Sequence, residues 1–198
     1  MPHIILASHS PRRRQLLEQA GLHDFSVLVP EVDEAYDPSL PPAEIVAALS
    51  RRKAEAAARL AGPGALVIAA DTMVFLDGLR LGKPNGEEEA FSMLSALSGR
   101  THQVRTGVTV CMDGHTDTQV QTTGVTFRTL TPPEIRRYIR TGEPMDKAGA
   151  YGIQGRAALF VTGICGDYCN VVGLPLCLLG RMLAAAGQAG LFAGEAET

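Results

Sequence analysis

Ala65-Leu66-Val67-Ile68-Ala69-Ala70-Asp71-Thr72-Met73-Val74-Phe75-Leu76-Asp77-Gly78-Leu79 decides the architecture of this chain. Ala65–Ala70 is apolar without polar alternation, the pattern of a strand covered on both faces. Asp77-Gly78, between Thr72–Leu76 and Leu79–Lys83, is a two-residue hairpin signal. A doubly covered strand beside a hairpin calls for an α/β fold with a mixed sheet, not a wholly parallel one.

The flanking sequence fits that frame. Ile4–Ala7 reads as a short buried strand, Ser8-His9-Ser10 as a turn, and Ser10-Pro11 as a helix start with serine at the N-cap. That helix presents Leu16, Leu17 and Ala20 and stops at Gly21; a second runs from Pro41-Pro42 to about Ala61 and ends at Gly62-Pro63-Gly64. Downstream, a short helix after Asn85-Gly86 turns Ala90, Phe91, Leu94 and Leu97 inward. Val104–Met112 and Val120–Phe127 read as a hairpin about Asp113-Gly114, Pro132–Arg140 as a helix and Ala157–Thr162 as a strand. A C-terminal helix is expected from Val171 to near Ala186. Residues 1–186 then form one domain, with 187–198 a frayed tail.

With 198 residues, 45% hydrophobic and 20% charged, the chain can bury a core without disulfides. A net charge of −3 and the absence of Trp disfavour stable binding to nucleic acid. Ile4-Ile5-Leu6-Ala7 is too short for a signal peptide, and no apolar run approaches a membrane span. A cytoplasmic setting follows, with Cys111, Cys165, Cys169 and Cys177 expected to pack and not to bind metal.

Several charges do not suit a purely structural role. Arg12, Arg13 and Arg14 sit in the first turn of a helix, where the dipole is already positive. Either this is an exposed basic turn, or an anion binds there, helped by the Ser8 and Ser10 hydroxyls. Lys53 falls at helical spacing among Val46, Leu49, Ala57 and Leu60 on the apolar face, while Arg51, Glu55 and Arg59 lie opposite. It either snorkels or faces a bound anion, and on this reading Lys53→Met keeps or raises stability. Asp71 ends the apolar run, where α/β sheets place ligands, and the hairpin returns Lys83 to the same end of the ladder. Glu31, Asp33 and Glu34 form a solvated face or hold a hard cation. Met145 through Gly155 packs three glycines and one amide, Gln154, into a loop that lets backbone N–H groups approach a ligand.

Six segments in order carry a resemblance: Leu6-Ala7-Ser8-His9-Ser10-Pro11-Arg12-Arg13, Ala69-Ala70-Asp71-Thr72, Gly82-Lys83-Pro84, Ser98-Gly99-Arg100-Thr101-His102, Asp146 through Gly155, and Asn170-Val171-Val172-Gly173-Leu174-Pro175-Leu176. Over residues 3 to 186 the chain resembles the Maf family of nucleoside triphosphate pyrophosphatases, also called septum formation inhibitors. The stretch Asp146–Gly155 resembles the subgroup acting on dTTP and UTP. Departures are His9, where a small residue is usual, and Cys165 and Cys169 in a variable loop.

The resemblance implies an elongated mixed sheet flanked by helices, of the Maf/ITPase-like kind, with two lobes and a deep nucleotide-binding cleft. It implies a homodimer, and hydrolysis between the α and β phosphates with Mg²⁺ or Mn²⁺. Asp71 matches the proton acceptor, and Arg13, Glu34, Lys53 and Lys83 the other catalytic positions. Arg12, Thr72 and Gln154 match positions of base selectivity; Ser8 is expected to bind substrate on the separate ground of its hydroxyl beside the anion site. Glu34 and Asp71 are the expected metal ligands. The rival readings are a non-enzymatic nucleotide- or DNA-binding regulator of septum formation, and a deaminase-like or metal hydrolase, for which the Cys/His spacing is missing.

Overall fold

A computed structural model describes residues 2–192. Among these residues seven strands form one mixed sheet: β1 (His3–Leu6), β2 (Ser26–Val27), β3 (Ala65–Leu76), β4 (Leu79–Leu81), β5 (Thr101–Met112), β6 (His115–Phe127) and β7 (Val161–Cys165). Their order is β2-β1-β3-β5-β6-β7, with β4 attached to β3. β1 runs parallel to β2 and to β3, with Ile5 opposite Val67, while β3–β4 and β6–β7 are antiparallel. The chain forms two compact units. One is built from the residues up to Asp71, Thr106–Gln121 and those from Gly173 onward; the other is built from Thr72–Arg105 and Thr122–Val172.

In the first unit, α1 (Pro11–Gln19) and α2 (Pro42–Ala61) follow the proline-led starts. One core cluster joins Ala54 and Ala57 of α2 to Ile5 and Ala7 and to Ala65, Val67 and Ala69 of β3. Alternate residues of a strand share a face, so the odd-numbered positions of β3 lie under α2. Small side chains let the helix sit close. At Gly107 a Cβ would meet the Val46 carbonyl oxygen at 2.2 Å. A hydroxyl chain adds direction: Ser50 Oγ lies 2.9 Å from Thr109 Oγ1, which lies 3.0 Å from Thr118 Oγ1.

The second unit contains the β3–β4 hairpin, α3 (Glu87–Leu97), α4 (Pro132–Ile139) and α5 (Tyr168–Val172). Asp77 and Gly78 have φ of 51° and 82°, the left-handed pair that such a two-residue turn requires. His102, Phe127, Tyr151, Phe160 and Tyr138 form an edge-to-face aromatic cluster. The last α-helix of the first unit is α6 (Leu176–Ala185).

Several expectations are corrected. Ala65–Ala70 and Thr72–Leu76 are one strand, so Asp71 lies within β3 and does not end it. The β3–β4 ladder stops at Val74 and Leu81, so Thr72 and Lys83 are not paired across it. Ala157–Thr162 is mostly a 3-10 turn, Arg156–Phe160, that buries Ala157 and Phe160 three residues apart while Ala158 and Leu159 face out. The expected helix from Val171 is broken where Gly173 takes φ 131° and Pro175 starts α6. Cys111 is buried, but Cys165 and Cys177 are exposed and Cys169 is half-buried, so packing explains only the first. Of the tail, Ala189–Phe192 forms a 3-10 turn, and residues 193–198 lie outside the described residues.

Candidate functional site

Strand parity puts Asp71 on the same face as Ala65, Val67 and Ala69, beneath α2. Lys53 precedes Ala54 and lies one turn before Ala57, so the two side chains meet. Its Nζ donates to Asp71 Oδ1 at 2.6 Å and also pairs with Glu34 Oε1 at 2.8 Å. Asp71 is buried and Glu34 exposed. The Lys53 charge is therefore met by two carboxylates. The apolar stripe holds at Val46, Leu49 and Ala57 but not at Leu60, which is 66% exposed. Asp71 Oδ2 is buried and has no hydrogen-bond partner among the described residues.

Glu34 comes from the loop between β2 and α2, and α2 holds that loop. Arg52 Nη1 donates to the Asp33 and Ala35 carbonyls at 3.1 and 2.6 Å, on either side of Glu34. Asp33 Oδ1 accepts from the Ala35 N–H at 2.8 Å. Sequence reasoning missed Arg52, because an exposed arginine on a helix gives no signal of a loop seventeen to nineteen residues away.

At the start of α1, Arg13 turns inward. Its Nε donates to the Gly173 carbonyl at 2.8 Å and its Nη1 to Ser8 Oγ at 3.0 Å. Ser8 Oγ also accepts from the Ser10 N–H at 3.2 Å; Ser10 itself makes no side-chain cap bond. Burial lowers the Arg13 pKa from its ordinary value; Asp71 raises it, Arg12 lowers it and Glu34 raises it. Ser8, Arg13, Glu34, Lys53 and Asp71 thus belong to one electrostatic neighbourhood at the carboxyl end of β1, and Arg12 adjoins it. Asp71 lies three residues beyond Ile68, the partner of the last β1 residue.

The remaining sequence-identified residues belong to the second unit. Thr72 is half-buried, and Lys83 is exposed in the loop after β4. That loop is tied to the glycine-rich stretch by the Gly149 N–H, which donates to the Gly82 carbonyl at 3.0 Å. Gly149 and Ala150 both have positive φ, 70° and 58°; glycine adopts it freely, whereas the fully buried Ala150 is strained there. The Gln154 side chain is exposed. What is held is the backbone on either side of it, through the Gly152 and Arg156 N–H groups.

Among the described residues no group of three or more His, Cys, Asp or Glu side chains is arranged to hold a metal. Glu34 and Asp71 are oxygen donors of the kind a hard cation takes, and a cation held by two carboxylates draws its other ligands from outside the protein. This pair does not fit a closed protein cage.

This arrangement sits on a fold shared with the Staphylococcus aureus Ham1 protein, which aligns with TM-score 0.51 and 16% identity over 93% of this chain and 99% of that one. The family model described as Maf-like protein matches residues 3–186, and the chain belongs to that family. It is 51% identical to a dTTP/UTP pyrophosphatase of Bacillus pumilus, over 94% of this chain and 98% of that protein. It is also 50% identical to one of Symbiobacterium thermophilum, over 99% and 100%.

Proposed function

We propose that this chain is a nucleoside triphosphate pyrophosphatase that hydrolyses dTTP and UTP, and modified pyrimidine analogues, to the monophosphate and pyrophosphate. The observation that carries the reading is the Lys53 bridge between Asp71 and Glu34 beside Arg13. It is supported by relatives of about half-identical sequence named dTTP/UTP pyrophosphatase. Those names support the enzyme over a non-enzymatic regulator of septum formation.

The roles divide as follows. Lys53 holds Asp71 through Oδ1, which leaves Oδ2 to orient and deprotonate the attacking water. Arg13 and Lys83 neutralise phosphate charge as the α–β bond breaks, and Ser8 keeps Arg13 aligned. Arg12, Thr72 and Gln154 select the base. Glu34 and Asp71 would hold Mg²⁺ or Mn²⁺, which supplies charge neutralisation at the phosphates.

The reading extends to a homodimer in the cytoplasm that clears nucleotides from the pool, with a link to division arrest. No helix among the described residues is long and apolar enough to cross a membrane. The decisive assay incubates the protein with dTTP, UTP, CTP and purine triphosphates plus Mg²⁺, measuring pyrophosphate and orthophosphate separately. Pyrophosphate from dTTP and UTP is expected; stoichiometric orthophosphate alone would falsify the reading.

A further inference from the structure

Gln154 is exposed, yet a residue that selects a base must present its amide in one orientation. The backbone that carries it is held on both sides. Gly152-Ile153-Gln154-Gly155 is a turn closed by the Gly155 N–H, which donates to the Gly152 carbonyl at 3.0 Å. Both ends of the turn are pinned from below. The Gly152 N–H donates to Tyr138 Oη at 3.2 Å, and the Arg156 N–H donates to Glu143 Oε2 at 3.0 Å. The two pins are joined, because the Tyr138 hydroxyl donates to Glu143 Oε1 at 2.9 Å.

We infer that Glu143 and Tyr138 form a clamp that sets the position of Gln154, and that they are specificity-positioning residues for pyrimidine selection. The inference rests on the reading of Gln154 as the base-selecting amide.

Three features single out this pair among surface carboxylates and core tyrosines. First, both oxygens of Glu143 are used and each serves a different partner, so the carboxylate has one orientation. Second, the phenol is kept as a donor, since burial and then the hydrogen bond to Glu143 raise its pKa. Its ring is fixed edge-on to Phe160 at 5.1 Å, so the hydroxyl cannot swing away. Third, the turn is shaped around the carboxylate. A Cβ at Gly155 would lie 2.3 Å from Glu143 Oε1 and 2.6 Å from Oε2. At Gly152 a Cβ would meet Lys147 Cε at 2.7 Å, and Lys147 Nζ donates to the Glu143 carbonyl at 2.7 Å. Gly155 has φ −101°, so the glycine is needed for space and not for backbone freedom.

The test is the ratio of kcat/KM for UTP over CTP in the full chain. Tyr138→Phe removes the hydroxyl and keeps the aromatic packing, Glu143→Gln keeps the size, and Gly155→Ala pushes the carboxylate aside. Each should lower the ratio by roughly three- to tenfold, as for the loss of one hydrogen bond on a positioning element. In a Gln154→Leu background Tyr138→Phe should change the ratio no further, because the clamp acts through Gln154. Hydrogen exchange at the Gly152 and Arg156 amides should speed up in Tyr138→Phe and Glu143→Gln respectively.

If Gln154→Leu collapses the ratio while all three clamp variants keep the wild-type value, the clamp inference is overturned and the base reading stands. If Gln154→Leu itself keeps the wild-type ratio, the base reading falls, and with it the clamp's role in selection. A poorly folding Glu143→Gln leaves the decision to Tyr138→Phe and Gly155→Ala.

Discussion

Lys53 Nζ lies 2.6 Å from Asp71 Oδ1, a bond between a helix and a strand that face each other across a core of alanines. Both side chains are largely shielded, with 17% and 12% of their surface exposed. The sequence-based expectation that Lys53→Met keeps or raises stability is therefore reversed. Methionine would leave the Asp71 carboxylate buried without its counter-charge, which costs about 3–5 kcal/mol. Urea denaturation of Lys53→Met, Asp71→Asn and the double variant measures the coupling. The double variant should recover most of the loss. Additive losses would show that the pair is not coupled.

Asp71→Asn should fold and lose turnover by about 10²- to 10⁴-fold, the range for removing a general base. The amide keeps the shape of the carboxyl, and Lys53 retains Glu34 as a partner. Single-turnover assays at saturating Mg²⁺ check this. A rate within a few-fold of wild type would remove Asp71 from the chemistry.

Gly107→Ala should destabilise the protein by about 3 kcal/mol or more, through overpacking against backbone that cannot rotate away. The added Cβ would meet Val46 O, Val46 C and Ala47 N at 2.2 to 2.9 Å. Because α2 also holds Lys53 and Arg52, activity per folded molecule should fall too. A thermal midpoint equal to wild type would mean that the helix moves off the sheet freely.

Acid should weaken the fold through His102. Burial holds its pKa at about 4, below the ordinary 6.5, and the facing polar group is the Tyr151 hydroxyl, 2.8 Å from Nε2. Nδ1 is buried and without a hydrogen-bond partner among the described residues. Between those two pKa values the unfolded chain takes up a proton that the folded chain refuses. Stability is full above 6.5 and declines as pH falls toward 4, by about 3 kcal/mol in total. Urea midpoints across that range, compared with His102→Leu, isolate this residue from the carboxylates. An equally steep decline in the variant would clear His102 of the effect.

What the sequence made legible was local. The Asp77-Gly78 turn, the proline-led helix starts and the lysine in an apolar stripe each follow from a few neighbouring residues. The partners of those residues were not legible. Arg13 meets the Gly173 carbonyl 160 positions away, and Lys53 meets Asp71 only because strand parity continues through β3. Ending that strand at Ala70 hid the parity argument. Glu143 and Tyr138 gave no signal, since a carboxylate after a glycine and a tyrosine on a helix are ordinary in any chain. The break at Gly173-Leu174-Pro175 was visible in composition, and the apolar run around it obscured it.

Removal of divalent cation should abolish activity, and the metal requirement should report on Glu34. Its carboxylate is exposed at the site, and its loop is fixed by the two Arg52 hydrogen bonds to the Asp33 and Ala35 carbonyls. If Glu34 supplies a metal ligand, Glu34→Gln raises the Mg²⁺ concentration for half-maximal rate by about tenfold, the scale expected for weakening an oxygen ligand. Arg52→Met leaves the ligand in place and loosens its loop, so it should raise the same quantity by a smaller factor. Combined with Glu34→Gln, it should add little, because the loop then has no carboxylate to present. Mg²⁺ titrations of the rate in the four proteins settle the assignment. Equal half-saturation in wild type and Glu34→Gln would leave Glu34 as a partner of Lys53 alone.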